Sequence, residues 1–387
     1  MVQGRPSRGK APVRILHVLP RPEATAVTRT SQLLRIFGGE FQHTLWGEPE
    51  QVRRIASEAG VNAAAVDLPY PEQTRWQPGA LHRLAREMLT HDLVVTHGFA
   101  AMTVGMARTI FSKAYPLPPL VHHEWDHQPR ITTAQRRRRN WYRRIALGRA
   151  AALIVDCEPV RQRALSDWDQ PPRRVHLVPD AVDLAAFAKR PRPDALPRVV
   201  KRPDERWAVL VDAGQDPAPG AAAVSALAAM PGEWHLVRAG ASQGERAVAD
   251  AADATGIIHR VHTLPANLPL AALAGLADIV LVTGSHGAER AGTLAAMAAG
   301  KPVLPLEGTG AADMLSPANR QLLAGQDRVE GALAALSGDE SLRRRIGVDN
   351  QQRAREVHDL RALGAFYRGL FDSALALRPR PEEATAR

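Results

Sequence analysis

Short apolar runs alternate with stretches of helical periodicity along most of the chain. In the first half, residues 13–19, 42–46, 92–96, 120–123, 151–155 and 175–178 read as strands. Between them, 28–37, 80–89 and 159–168 read as helices. Leu33, Leu34, Ile36 and Phe37 mark the first helix, and Gly38-Gly39 ends it. A second alternation begins at 207, with strands at 207–212, 234–237, 261–264 and 279–282 and helices at 221–229, 244–254 and 268–276. Residues 332–346 and 350–377 are mainly helical; Leu360, Leu363, Phe366, Tyr367, Leu370 and Phe371 form an apolar stripe in the second. Apolar runs without polar alternation suit strands covered on both faces, and strands alternating with helices predict an α/β fold with parallel sheets. Residues 189–206 are rich in Pro, Arg and Asp and have no period, so they read as a linker. The predicted organisation is a basic disordered tail (1–12), a Rossmann-like domain (13–188), the linker, a second Rossmann-like domain (207–349) and a C-terminal helix (350–377).

The segment 277–303 is the most informative. The apolar run at 279–282 leads into Thr283-Gly284-Ser285-His286-Gly287, then into a helix through Leu294–Ala299 that Gly300 ends and Pro302 stops. Strand, loop, helix and strand make one βαβ unit. Ligands of such sheets sit outside the carboxyl ends of the strands, where backbone amides at a helix start favour a phosphate. The amides of 291–294, including Gly292 and Thr293, are the candidates.

Composition narrows the class. No apolar run is long enough to cross a bilayer. Cys157 is the only cysteine, which excludes an internal disulfide and a cysteine-built metal site. The formal net charge of +10 points to an anionic partner such as nucleic acid, anionic lipid or a phosphorylated substrate. Much of that charge is concentrated at Arg136, Arg137, Arg138, Arg139, Arg143 and Arg144, interleaved with Trp141 and Tyr142. A basic helix with aromatics suits an anionic membrane surface; its alternatives are a solvated helix face and nucleic acid, and no known nucleic-acid module appears.

Several passages together resemble a known family. Residues 14–20 (RILHVLP), 92–99 (DLVVTHGF), 174–187 (RVHLVPDAVDLAAF) and 277–302, down to Ala296-Met297-Ala298-Ala299-Gly300, resemble the family 4 glycosyltransferases. The resemblance implies the GT-B fold: two doubly wound Rossmann-like domains facing a central cleft. It implies a nucleotide-diphosphate sugar donor in the second domain and an acceptor in the first. It further implies transfer with retention onto a lipid-linked or cell-envelope glycan at the inner face of a membrane, without a cofactor or metal. The alternative is a GT-B protein that has lost catalysis and acts as partner or scaffold of an active transferase.

The donor motif departs from the family. The family places an Arg and a Lys after the first strand of the second domain; here Gln215, next to Gly214, stands at the Arg position and Pro219 near the Lys position. It also places two glutamates in the donor segment, where this chain has Gly287 and Ala295. Glu289 and Arg290, with Ser285 in the same loop and Arg238 at a neighbouring strand end, are the candidate replacements; otherwise these charges are solvated surface groups. In the first domain, His122-His123-Glu124 ends a strand, with His97 beside it. His123 or Glu124 would orient or deprotonate an acceptor hydroxyl. The alternatives are hydrogen-bonded strand-end histidines, or a metal site of His122, Glu124, Asp126 and His127.

Overall fold

A computed structural model describes residues 12–19, 24–61, 63–66, 78–125, 131–213, 218–240, 245–265, 268–284, 286–306, 311–323 and 328–378. The chain divides into two units, one of residues up to Pro179 and from Gly364 onward, the other Asp180–Leu363. Unit 1 contains β1 (Val13–Val18), α1 (Ala24–Phe37), β2 (Phe41–Trp46), α2 (Pro49–Ala59), β3 (Ala64–Ala65), α3 (Pro78–Met88), β4 (Leu93–His97), α4 (Met102–Phe111), β5 (Leu120–Glu124), α5 (Thr133–Ala146), β6 (Ala152–Val155), α6 (Glu158–Ser166) and β7 (Val175–Leu177). Its sheet is wholly parallel, in the order β3-β2-β1-β4-β5-β6-β7.

Alternation along each strand divides the side chains between two covered faces. Leu16, Val18, Val94, Leu120, Leu153 and Val155 enter one core with α3, α4 and Trp168. On the other face α1 and α2 enclose Leu34, Leu45, Val52 and Ile55. The C-terminal α14 (Leu360–Leu375) contributes to unit 1 from Gly364 onward. Tyr367 and Phe371 are fully buried, the Phe371 ring lies 5.8 Å from Phe37, and Arg368 forms a two-pronged bond to Glu40 at 2.7 and 2.8 Å. Of the predicted apolar stripe, Leu363, Tyr367 and Phe371 are buried and Phe366 and Leu370 half-buried; the stretch expected as one helix is two, since residues 350–357 belong to a separate helix that ends at Val357.

Unit 2 contains β8 (Arg206–Ala213), α7 (Ala218–Ala228), β9 (Trp234–Gly240), α8 (Glu245–Ala254), β10 (Val261–Leu264), α9 (Leu270–Leu276), β11 (Ile279–Gly284), α10 (His286–Ala298), β12 (Val303–Pro305), α11 (Pro317–Leu322), α12 (Arg328–Gly338) and α13 (Glu340–Val357). Its parallel sheet runs β10-β9-β8-β11-β12. Residues 189–206 pack into this unit: Leu196 is buried in its core, and Lys201 donates to Asp278 at 2.6 Å and to the Leu276 carbonyl at 2.7 Å. A carboxylate and a carbonyl thus anchor a segment that has no hydrophobic period of its own. The edge of β12 is satisfied by Asn319, which accepts from the Val303 amide at 2.9 Å and donates to its carbonyl at 2.8 Å.

Helix α10 ends against α13 at a point where only glycine fits. A Cβ on Gly347 would lie 2.1 Å from the Gly300 carbonyl oxygen, and Gly300 itself has φ +69°. That obstacle is backbone and cannot rotate away, so Gly347→Ala will lower stability by about 3 kcal/mol or more. Gly331→Ala, which meets open space, is the control and will stay within about 0.5 kcal/mol or stabilise slightly. Urea unfolding of the two variants checks both.

Candidate functional site

In a doubly wound sheet the ligand crevice opens where consecutive connections leave a strand toward opposite sides. In unit 1 that point lies between β1 and β4. In unit 2 it lies between β8 and β11.

At the unit 1 switch point β4 ends in His97, and Gly98 turns the chain with φ +69° and ψ 172°, a conformation open to glycine. His97 pairs in register with His123 of β5. Their Nδ1 atoms are 3.0 Å apart. The chain of contacts continues from His97 Nε2 to Thr30 Oγ1 at 3.4 Å and from His123 Nε2 to Tyr367 Oη at 2.8 Å. The Trp125 ring stacks on His97 at 5.6 Å. Farther along the same face, His17 Nε2 meets His43 Nδ1 at 3.0 Å, and the His17 ring stacks 6.1 Å from His97. Four imidazoles therefore run diagonally over β2, β1, β4 and β5, from mid-sheet to the carboxyl edge. A hydrogen bond between two ring nitrogens needs one N–H and one lone pair, so the two rings of a pair cannot both be charged. Burial agrees. It brings His97 down to about 3, helped by the charges of His122 and Arg29, and holds His17 and His123 well below the usual histidine range.

The opposite face carries a different set. Thr96 Oγ1 meets His122 Nδ1 at 2.8 Å, His122 Nε2 lies 3.8 Å from Glu124, and Arg143 of α5 donates to Glu124 at 2.9 Å. Burial alone would raise the Glu124 carboxyl; the Arg143 guanidinium and His122 bring it down to about 2. Arg143 is itself sandwiched 4.8 Å from the Phe99 ring and 4.6 Å from Trp168. Adjacent strand residues point to opposite faces, so His123 and Glu124 belong to separate networks. Glu124 is a paired carboxylate with little affinity for a proton. His123, by contrast, is bonded to His97 and Tyr367. Asp126 and His127 lie outside the described residues, and those described contain no group of ligands suited to a metal.

In unit 2, Gly214, Gln215 and Ser285 lie outside the described residues. Helix α10 starts at His286, earlier than the apolar run at 294–299 suggests. Its free first-turn amides are consequently earlier too; Gly292 and Thr293 sit farther along the helix, where amides bond within it. Gly292 brings α10 close to the sheet, since a Cβ there would lie 3.1 Å from Val211 and 3.2 Å from Val282. Arg238, Glu289, Arg290 and Thr293 are all buried, which excludes solvated surface charges. Arg290 donates to Asp180 at 2.5 Å, and the Asp180 carbonyl bonds His358 Nδ1 at 2.7 Å. Sequence reasoning did not mark Asp180, His358, Thr30 or Tyr367 as site residues. Asp180 stands in a passage quoted for the family resemblance, but its partner is 110 residues away.

Helix α5 opens with a reciprocal cap: Thr132 Oγ1 accepts from the Gln135 amide at 3.2 Å, and Gln135 Oε1 accepts from the Thr132 amide at 2.9 Å. Arg136, Arg137 and Arg138 are exposed and Arg139 is half-buried. Arg144 pairs with Asp169 at 2.6 Å, and Trp141 is 56% exposed. Arg143, expected on the basic surface, is turned inward to Glu124.

Comparison with solved structures places this architecture. A glycosyltransferase from Rickettsia africae ESF-5 superposes with TM-score 0.71 at 12% identity, covering 95% of this chain and 99% of that one. HepE of Anabaena, in complex with UDP and glucose, gives 0.69 at 13%, covering 93% and 100%. The lipopolysaccharide outer core galactosyltransferase WaaB gives 0.59 at 13%, covering 94% and 99%. No curated protein matches by sequence. Residues 41–186 match the model of Glycosyltransferase Family 4. Each unit has a parallel α/β sheet, the family model matches the part of the chain at 41–186, and the chain has the fold of those glycosyltransferase structures, GT-B.

Proposed function

We propose that the protein moves a sugar, with retention, from a nucleotide-diphosphate donor held at the unit 2 switch point to a lipid-linked or cell-envelope glycan acceptor held at the unit 1 switch point. The observation that carries this reading is α10. It starts where β11 ends, is drawn close to the sheet by Gly292, and directs its first-turn amides to the place where such sheets take a phosphate. A leaving nucleoside diphosphate needs positive potential, and amides supply it without side chains. HepE was solved with UDP and glucose, and WaaB acts on lipopolysaccharide outer core; both support the assignment. No helix among the described residues is long and apolar enough to cross a membrane, so contact with a lipid-linked acceptor would be peripheral, through the exposed arginines and Trp141 of α5.

One observation favours the second reading, a non-catalytic partner of another transferase. Arg290, the nearest candidate for a diphosphate contact, is already ion-paired with Asp180. Calorimetric titration with a panel of nucleotide sugars separates the two readings. The transferase reading expects saturable heat with at least one donor, in roughly the micromolar to millimolar range of enzyme substrates. Absence of heat with every donor, while the protein remains folded, would leave only the partner role.

A further inference from the structure

Unit 1 has a notch of about 280 Å³ where α5 passes the chain that follows β4. Gln135, Arg138, Arg139 and Tyr142 line it at positions i, i+3, i+4 and i+7 of one helix face, with Phe99 opposite and Trp141 at the side. The capping box that starts α5 fixes Gln135 and leaves its Nε2 as a donor. The Arg139 guanidinium carbon lies 4.9 Å from the centre of the Phe99 ring, a cation–π contact that leaves its N–H groups to a ligand. The carboxylates around α5 are taken: Glu124 by Arg143, Asp167 by Asn140 and Asp169 by Arg144. Among the described residues no carboxylate pairs with Arg136, Arg137, Arg138 or Arg139. A concave site with unneutralised guanidinium groups beside an exposed indole is complementary to an anion that carries an apolar tail.

We propose that this notch holds the phosphate head group of one anionic bilayer lipid, clasped by Arg138 and Arg139, with Trp141 seated at the level of the head groups. The proposal rests on the membrane contact in the preceding reading and sharpens it from a diffuse charge to a particular site. The volume suits a head group and is too small for a whole glycolipid. Trp141 commits the occupant to a bilayer, because an indole with one apolar and one polar edge is stabilised at that interface and gains little from a soluble anion.

The test uses the full-length protein and flotation with phosphatidylcholine vesicles, with and without phosphatidylglycerol. A diffuse patch loses affinity equally whichever arginine pair is removed. A notch makes R138Q/R139Q weaker than R136Q/R137Q by about tenfold, the worth of a charge-assisted hydrogen bond. Trp141→Ala will weaken vesicle binding as well, and circular dichroism confirms that each variant is folded. Equal losses from the two double variants overturn the notch but leave the membrane contact standing. Failure of the unaltered protein to float with phosphatidylglycerol vesicles overturns both. Glycerol phosphate or RNA binding as tightly as vesicles overturns the lipid assignment.

Discussion

Acidification from pH 7 to pH 5 will destabilise unit 1, by about 2 kcal/mol through His97 alone and further through His17 and His123. All three are fully buried and neutral, with folded-state values well below the histidine range, His97 at about 3. In the unfolded chain each titrates near the ordinary value of about 6.5. The unfolded state thus binds more protons as the pH falls through that value, and stability fully present above it is lost progressively below it, down to about 3 for His97. The cost is about 1.4 kcal/mol per pH unit per ring once the pH is below the unfolded value. Even the His97 share is a sizeable fraction of the stability of a typical domain. His43 shifts in the same direction and steepens the fall. Urea unfolding at pH 7, 6 and 5 measures it. In H97F/H123F two of the three rings no longer titrate, so the same acid step will cost less, by at least the share of about 2 kcal/mol that His97 carries. A stability that is flat from pH 7 to pH 5 would show that the rings are not held neutral.

Removing Arg143 while leaving Glu124 will destabilise the protein by about 3–5 kcal/mol, because it strands a buried carboxylate without its cation. Both side chains are almost wholly inaccessible and lie 2.9 Å apart. Glu124→Gln with Arg143→Met will restore much of that loss, since a buried pair replaced by neutral groups of similar size is often close to neutral. The comparison of R143M with the double variant by thermal unfolding is the measurement, and a double variant no more stable than R143M would mean that Arg143 acts through its packing on Phe99 and Trp168. The pair also has a pH signature distinct from the histidines. The Glu124 value is depressed to about 2, so its contribution is complete above the ordinary glutamate range and disappears only as the pH falls from there toward 2.

Apart from β3, a two-residue exposed edge strand, the strands of both sheets were legible because parallel strands covered on two faces must be continuously apolar. Two of the helices that escaped the periodic pattern did so for a physical reason. Met102–Ala107 of α4 is buried on every side, which erases the polar face that marks a surface helix. The helix α2, Pro49–Ala59, is so polar that Val52 and Ile55 are its only large buried aliphatic side chains. The site was partly legible. His97, His122, His123 and Glu124 were correctly placed at strand ends, but the division into two networks follows from strand register. The buried state of Glu289 and Arg290 follows from α10 beginning at His286, and the Gly-rich segment before Leu294 conceals that start.

The order of residues along the chain by itself determined two parallel α/β sheets, the passages that resemble the family, and a concentrated basic helix in the first half. Only tertiary structure decided which charged and titratable groups meet. His123 reaches Tyr367 across 244 residues of sequence, Arg290 reaches Asp180 across 110, and Arg143 turns away from its basic neighbours to Glu124. Secondary structure is written locally because backbone hydrogen bonding and side-chain period act over a few residues. The lateral order of strands, and with it the partner of every buried charge, is set by which faces exclude water together, and that is a property of the folded chain as a whole.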